Sequence, residues 1–225
     1  MPRHLPRSGT RPHGHQRSAL FFLRRVSSDL PQGRNCGGGM STINVVLCGL
    51  GGQGILFMTK VLAQASLGRG YNLMGAETHG MAQRGGSVVS HLRLGNVQGS
   101  LVKTNEAPLL LALEENEGYR NLPFLARGGR LYVNTMSPLF PREEVRSFLA
   151  KKQIIPRSVP AGKIALDLGA PMSSNLALLG FCSAFEDSPF DHENLRETIG
   201  RISPDRFRDK NLSIFDAGYL AGKKE

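Results

Sequence analysis

The sequence predicts an α/β domain of three layers, a mainly parallel sheet covered by helices, with a Rossmann-like glycine turn after the first strand. Two observations carry this. Short aliphatic runs alternate with segments of helical periodicity from residue 43 onward, and the first run ends at Cys48-Gly49-Leu50-Gly51-Gly52-Gln53-Gly54-Ile55. A second glycine pair then closes the polar loop Glu77-Thr78-His79-Gly80-Met81-Ala82-Gln83-Arg84-Gly85-Gly86.

Residues 43–47 form a β-branched run of the kind a buried parallel strand needs, and Ile55, Met58, Val61, Leu62 and Ala65 then recur at helical spacing. Gly68 and Gly70 end that helix. Residues 71–76 read as a second strand, 77–86 as the polar loop and 87–94 as a third strand. The turn Gly95-Asn96 follows, then a short extended piece at Leu101-Val102. The apolar runs 109–113 and Leu131-Tyr132-Val133 read as central strands ending in Glu114-Glu115 and Asn134-Thr135; between them Pro123 splits 115–127 into two helical pieces. A cleaner helix spans 141–152, with Pro141 in its first turn, Glu143 and Glu144 near its start and Lys151-Lys152 at its end. Ile154-Ile155 and Ile164-Ala165 read as short strands. Ser173 caps a helix over 173–185 that is apolar almost all round, as in a helix buried against the core or a partner. Further helices are expected near 193–199 and 215–221.

The chain of 225 residues, 40% hydrophobic, is one domain's worth of sequence with a tail. Its net charge of +10 is uneven: residues 1–39 hold seven arginines against Asp29 alone, leaving only +4 for the rest. That balance does not call for a nucleic acid. The arm 1–39 is rich in Arg, Pro, Gly and Ser without apolar periodicity, so it is expected to be disordered. Its apolar stretch Ala19-Leu20-Phe21-Phe22-Leu23 is too short for a secretory core, and Pro2, Pro6 and Pro12 spoil an amphipathic transit helix. The composition break at Met40 points instead to upstream sequence from a misassigned start, with a compact domain over 40–225. No apolar run is long enough to span a membrane. Cys36, Cys48 and Cys182 stand apart without CxxC spacing, which gives neither a disulfide framework nor a cluster-binding motif within this chain and suits a reducing cytoplasm. No metal site is expected.

Gly49, Gly51 and Gly54 satisfy GxGxxG between a strand and a helix, where backbone N–H groups and the helix dipole can hold a phosphate. Glu77, 23 residues after Gly54, stands near the place of a ribose-binding acid. The plainer reading is that the glycines only permit a tight crossing. Gln53 is less expected in such a turn, and its amide can donate to a phosphate or a partner chain. In the second loop Arg84 can bind an anion and His79 exchange protons, unless the loop is simply solvated with Arg84 paired to Glu77. His91, alternating with hydrophobics, is read as structural. No GxSxG, HExxH or GxxxxGK[ST] pattern occurs, nor a GDG with a following Asn pair.

The segment Gly49-Leu50-Gly51-Gly52-Gln53-Gly54-Ile55 resembles the GxGGQG signature of gamma-type subunits and domains of 2-oxoacid:ferredoxin oxidoreductases. The run His79-Gly80-Met81-Ala82-Gln83-Arg84-Gly85-Gly86-Ser87 is similar to the indolepyruvate type, whose beta subunit is the nearest version. Asn134-Thr135 and Asn175-Leu176 match further family positions, and the resemblance covers nearly all of 40–225. It implies a role in coenzyme A-dependent oxidative decarboxylation of aryl pyruvates, with electrons passed to ferredoxin. It also implies a large alpha subunit that holds thiamine diphosphate, Mg and the iron–sulfur clusters, so that this chain holds no cofactor alone. Gly49, Gly51, Gly52, Gln53, Gly54, Gln83, Arg84, Gly85 and Gly86 would then face the coenzyme or the shared site, with His79 as candidate for proton exchange.

Two other readings stay open on the residues themselves. One is an independent NAD(P)-binding dehydrogenase built on GxGxxG and Glu77. The other is a scaffold whose 173–185 helix is a docking surface and whose glycines are architectural.

Overall fold

A computed structural model describes residues 42–79 and 85–225. The arm 1–39 and the candidates Gln83 and Arg84 lie outside the described residues. Strand β1 (Ile43–Leu50) is buried along nearly its whole length, which is why it reads as an unbroken apolar run. It pairs in parallel with β4 (Ala107–Ala112), which pairs with β5 (Leu125–Asn134), which pairs with β6 (Ile155–Val159). On its other side β1 pairs antiparallel with β3 (Ser87–Leu94), and β3 antiparallel with the edge strand β2 (Leu73–His79). The order is β2-β3-β1-β4-β5-β6, so five of the six strands share one direction and β3 opposes them.

Alternate residues face opposite sides of the sheet. Val45, Leu47, Leu109, Leu111 and Tyr132 pack on α1 (Ile55–Gly68), α4 (Ala161–Asp167), α5 (Ser174–Ser183), α6 (His192–Ile202) and α7 (Asp205–Gly222). Val46, Cys48, Leu110, Ala112, Leu131 and Val133 pack on the side of α2 (Glu115–Asn121) and α3 (Glu143–Lys152). These are the three expected layers.

Helix α5 is buried from Asn175 to Ser183, and α7 covers it so closely that a Cβ on Gly180 would stand 1.9 Å from the Phe215 carbonyl oxygen. Its apolar circumference is thus used up inside the domain, which removes the basis for reading it as a docking surface.

Several expectations change. Glu77 lies in β2, not in a loop, and β2 pairs antiparallel with β3. Ile164-Ala165 belongs to helix α4: two β-branched or small residues are too few to fix a period. Leu101-Val102 forms no strand. Ser173 occupies the N-cap of α5 without a side-chain capping bond. The last helix starts at Asp205, because its first half is polar and carries little apolar periodicity.

Candidate functional site at the carboxyl edge of the sheet

Four of the five co-directional strands β1, β2, β4, β5 and β6 end beside segments that carry the polar groups of interest. After β1 the chain makes the glycine turn. Gln53 folds back over it: its Oε1 accepts the Leu50 N–H at 2.7 Å, while its own N–H donates to the Leu50 carbonyl at 3.1 Å. A Cβ on Gly49 would meet Gln53 Oε1 at 2.6 Å, so this seat exists only because residue 49 lacks a side chain. Gly54 is the N-cap of α1 in the left-handed region, φ 82°. Asn175, in the first turn of α5, donates Nδ2 to the Gly54 carbonyl at 3.1 Å.

The two glycine motifs meet directly. The β1–β3 ladder, which ends with Leu50 opposite Ser87, continues one step further: Gly51 N–H donates to the Gly86 carbonyl at 2.8 Å, and Gly85 N–H to the Gly51 carbonyl at 3.4 Å. His79 ends β2 opposite Val88, at the same edge.

The acids after β4 fasten this edge from the other side. Glu114 caps α2 by accepting the Glu117 N–H at 2.9 Å. Glu115 accepts Thr135 Oγ1 at 2.7 Å and the Tyr119 hydroxyl at 2.9 Å, and pairs with Arg142 at 3.2 Å. Burial keeps the Tyr119 phenol above its ordinary range, so it stays a donor. Glu117, only 1% exposed, accepts Ser87 Oγ at 2.6 Å and pairs with Arg120 at 2.5 Å. Asn134 donates Nδ2 to the Leu113 carbonyl at 3.1 Å and accepts Gly162 N–H at 2.9 Å, tying β4, β5 and α4 together.

The glycine turn, Gly85, Gly86, Glu114 and Asn134 therefore gather as the topology requires. Glu77 does not join them as a ribose acid would. In a dinucleotide fold that acid ends the strand beside β1, whereas here β3 separates β2 from β1. The dehydrogenase reading is not favoured.

Glu117 and Ser87 escape a reading of the sequence, although the spacing Glu114-x-x-Glu117 is a capping signal that could have marked the first of them. His91 is structural, as expected: it is 5% exposed, its Nδ1 accepts the Val102 N–H at 3.2 Å, and burial holds it below the ordinary imidazole range. Cys48 and Cys182 are buried free thiols; burial pushes Cys48 far up and Cys182 to about 12, so neither supplies a thiolate. Among the described residues no group of three or more His, Cys, Asp or Glu side chains could hold a metal ion.

A concavity of about 410 Å³ lies elsewhere, lined by Arg69, Ser183, His192, Tyr219 and Lys223 among others. Arg69 follows the 14 residues of α1, about 21 Å from the glycine turn. His192 is packed there against Phe215 and Tyr219, and burial holds it too below the ordinary range.

Residues 44–221 match the family described as pyruvate ferredoxin/flavodoxin oxidoreductase. The chain belongs to this family. Within the oxidoreductase family, the indolepyruvate oxidoreductase subunit IorB of Methanothermobacter thermautotrophicus is 34% identical over 189 residues, which cover 79% of this chain and 96% of that subunit. The ketoisovalerate oxidoreductase subunit VorA of the same organism is 30% identical over 183 residues, 78% of this chain but only 35% of VorA. The gamma subunit of a keto/oxoacid ferredoxin oxidoreductase from Geobacter sulfurreducens shares the fold, with a TM-score of 0.62 and 20% identity over 81% of this chain and 99% of that one. The chain is thus a small subunit of the 2-oxoacid:ferredoxin oxidoreductase type, and no described helix is long and apolar enough to cross a membrane.

Proposed function

We propose that this chain works in the cytoplasm with a large alpha subunit to oxidise indolepyruvate or a related aryl pyruvate. Carbon dioxide leaves, the acyl group passes to coenzyme A and the electrons pass to ferredoxin. The observation that carries the substrate class is the similarity to IorB along 96% of that subunit.

Thiamine diphosphate with Mg and iron–sulfur clusters, held by the large subunit, supply the decarboxylation and the electron path. The role of this chain is to bind and orient. The turn Gly49, Gly51, Gly52, Gln53, Gly54 and the segment Gln83, Arg84, Gly85, Gly86 face the coenzyme and the shared active site, with His79 exchanging a proton. In support, a Cβ on Gly52 or Gly85 would meet nothing within 4 Å among the described residues, which suits the approach of a ligand to the backbone. The first turn of α1 carries no acid that would repel an anion. Leu56, Met136, Leu139 and Met172, 48–71% exposed, lie on the segments that border this edge, an apolar rim suited to a partner subunit.

The test is anaerobic reduction of ferredoxin with indolepyruvate and coenzyme A, using this chain alone, the cofactor-loaded large subunit alone, and the mixture. Turnover in the mixture only is expected. No turnover in any of the three, or tight nicotinamide nucleotide binding by the isolated chain, would contradict the proposal.

A further inference from the structure

Glu117 breaks a local rule. It is the third residue of a helix whose N-cap is Glu114, a place from which a Glu side chain ordinarily reaches back to the N-cap N–H. Here its Oε1 stays with Arg120 of the same helix while its Oε2 takes the hydroxyl of Ser87 at 2.6 Å, across 30 residues of sequence. The carboxylate is almost fully buried, a placement that is costly unless charge-assisted bonds satisfy it. Arg120 supplies one and Ser87 the other. Ser87 is the residue that follows Gly85 and Gly86, and those two glycines carry the backbone bonds to Gly51.

We propose that Glu117 is a positioning residue: through Ser87 it fixes Gly85 and Gly86 against Gly51, and so sets the junction of the two glycine motifs that receives coenzyme A. The role in coenzyme binding rests on the proposed function; the role in holding the junction does not.

Two measurements on the assembled enzyme separate these. Amide hydrogen exchange at Gly51 and Gly85 reads the junction itself. Steady-state kinetics with coenzyme A as the varied substrate read its use. Ser87→Ala removes only the hydroxyl and leaves the Glu117–Arg120 pair. It is expected to speed exchange at both glycines and to raise KM for coenzyme A about tenfold or more while kcat changes little. Ser87→Thr, which restores a hydroxyl, is expected to recover both values. Glu117→Gln keeps an acceptor for Ser87 and should fall between wild type and Ser87→Ala.

A merely structural role would lower the melting temperature or the yield of complex without moving KM. Unchanged exchange at Gly51 in Ser87→Ala would overturn the positioning role. Faster exchange with unchanged KM would overturn its link to the coenzyme. If the wild-type complex reduced no ferredoxin with any aryl pyruvate, the functional reading would fail instead, and exchange alone would judge Glu117.

Discussion

Asn175 donates its side-chain Nδ2 to the carbonyl of Gly54 at 3.1 Å, joining residues 121 positions apart at the mouth of the glycine turn. The contact is close because Gly54 has no side chain: a Cβ there would lie 2.6 Å from the same Nδ2. Gly54→Ala also forces an L-residue into the left-handed region, at a cost of about 1–2 kcal/mol. Urea unfolding of Gly54→Ala is therefore expected to show a loss of about 2 kcal/mol or more. Adding Asn175→Gly should relieve the clash and leave the backbone penalty.

The α5–α7 crossing should be less forgiving. A Cβ on Gly218 would stand 2.0 Å from the Ala177 carbonyl oxygen, and one on Gly180 1.9 Å from that of Phe215. Backbone atoms cannot swing aside, so Gly218→Ala and Gly180→Ala are each expected to destabilise by about 3 kcal/mol or more. Gly200→Ala in α6 is the control: its Cβ meets Leu212 at 3.9 Å, an ordinary contact, and it should be neutral or stabilising by up to about 1 kcal/mol. Thermal unfolding of the three variants checks the ranking.

Gln53 has two ends with separable roles. Its Oε1 holds the Leu50 N–H, so Gln53→Ala strips that donor of its partner and should lower stability by about 1–3 kcal/mol. Gln53→Glu keeps the acceptor, removes the amide donor and adds a negative charge. If the amide nitrogen serves the anionic coenzyme, Gln53→Glu will be the more stable variant in urea but have the higher KM for coenzyme A. Equal KM values would confine Gln53 to the turn.

The fold should also be acid-sensitive. His91 must be neutral to accept the Val102 N–H, and burial lowers its pKa, as it does for His192. The unfolded chain, with its imidazoles near pKa 6.5, therefore takes up protons first as the pH falls. The stability from these histidines is complete above about pH 6.5 and is lost as the pH drops through the folded values. Urea midpoints compared between about pH 8 and pH 5 should fall. His91→Gln, which keeps an acceptor without titrating near neutrality, should shrink the drop.

The strand–turn–helix from β1 to α1 was legible because an apolar run, three glycines and a 3.6-residue repeat all favour one answer. So were β3 at 87–94 and the break at Pro123, which sits within the short 3-10 turn Leu122–Phe124 that follows α2. What stayed hidden was which strand neighbours which. The two strand-like runs at 71–76 and 87–94 suit either parallel or antiparallel neighbours, and the antiparallel pairing of β3 with both β2 and β1 settles the matter. Within the site, glycines announce themselves by composition. The bonds of Glu117 to Ser87, Asn175 to Gly54 and Asn134 to Gly162 do not, because each joins distant segments through side chains that are commonplace on a surface.

The most direct test of the carboxyl edge as the working face is hydrogen–deuterium exchange of this chain with and without the cofactor-loaded large subunit. Residues 49–56, 85–87, 135–139 and 171–175 are predicted to gain protection on assembly. Protection confined to the opposite end, around Arg69, His192 and Lys223, with the glycine turn unchanged, would contradict the account.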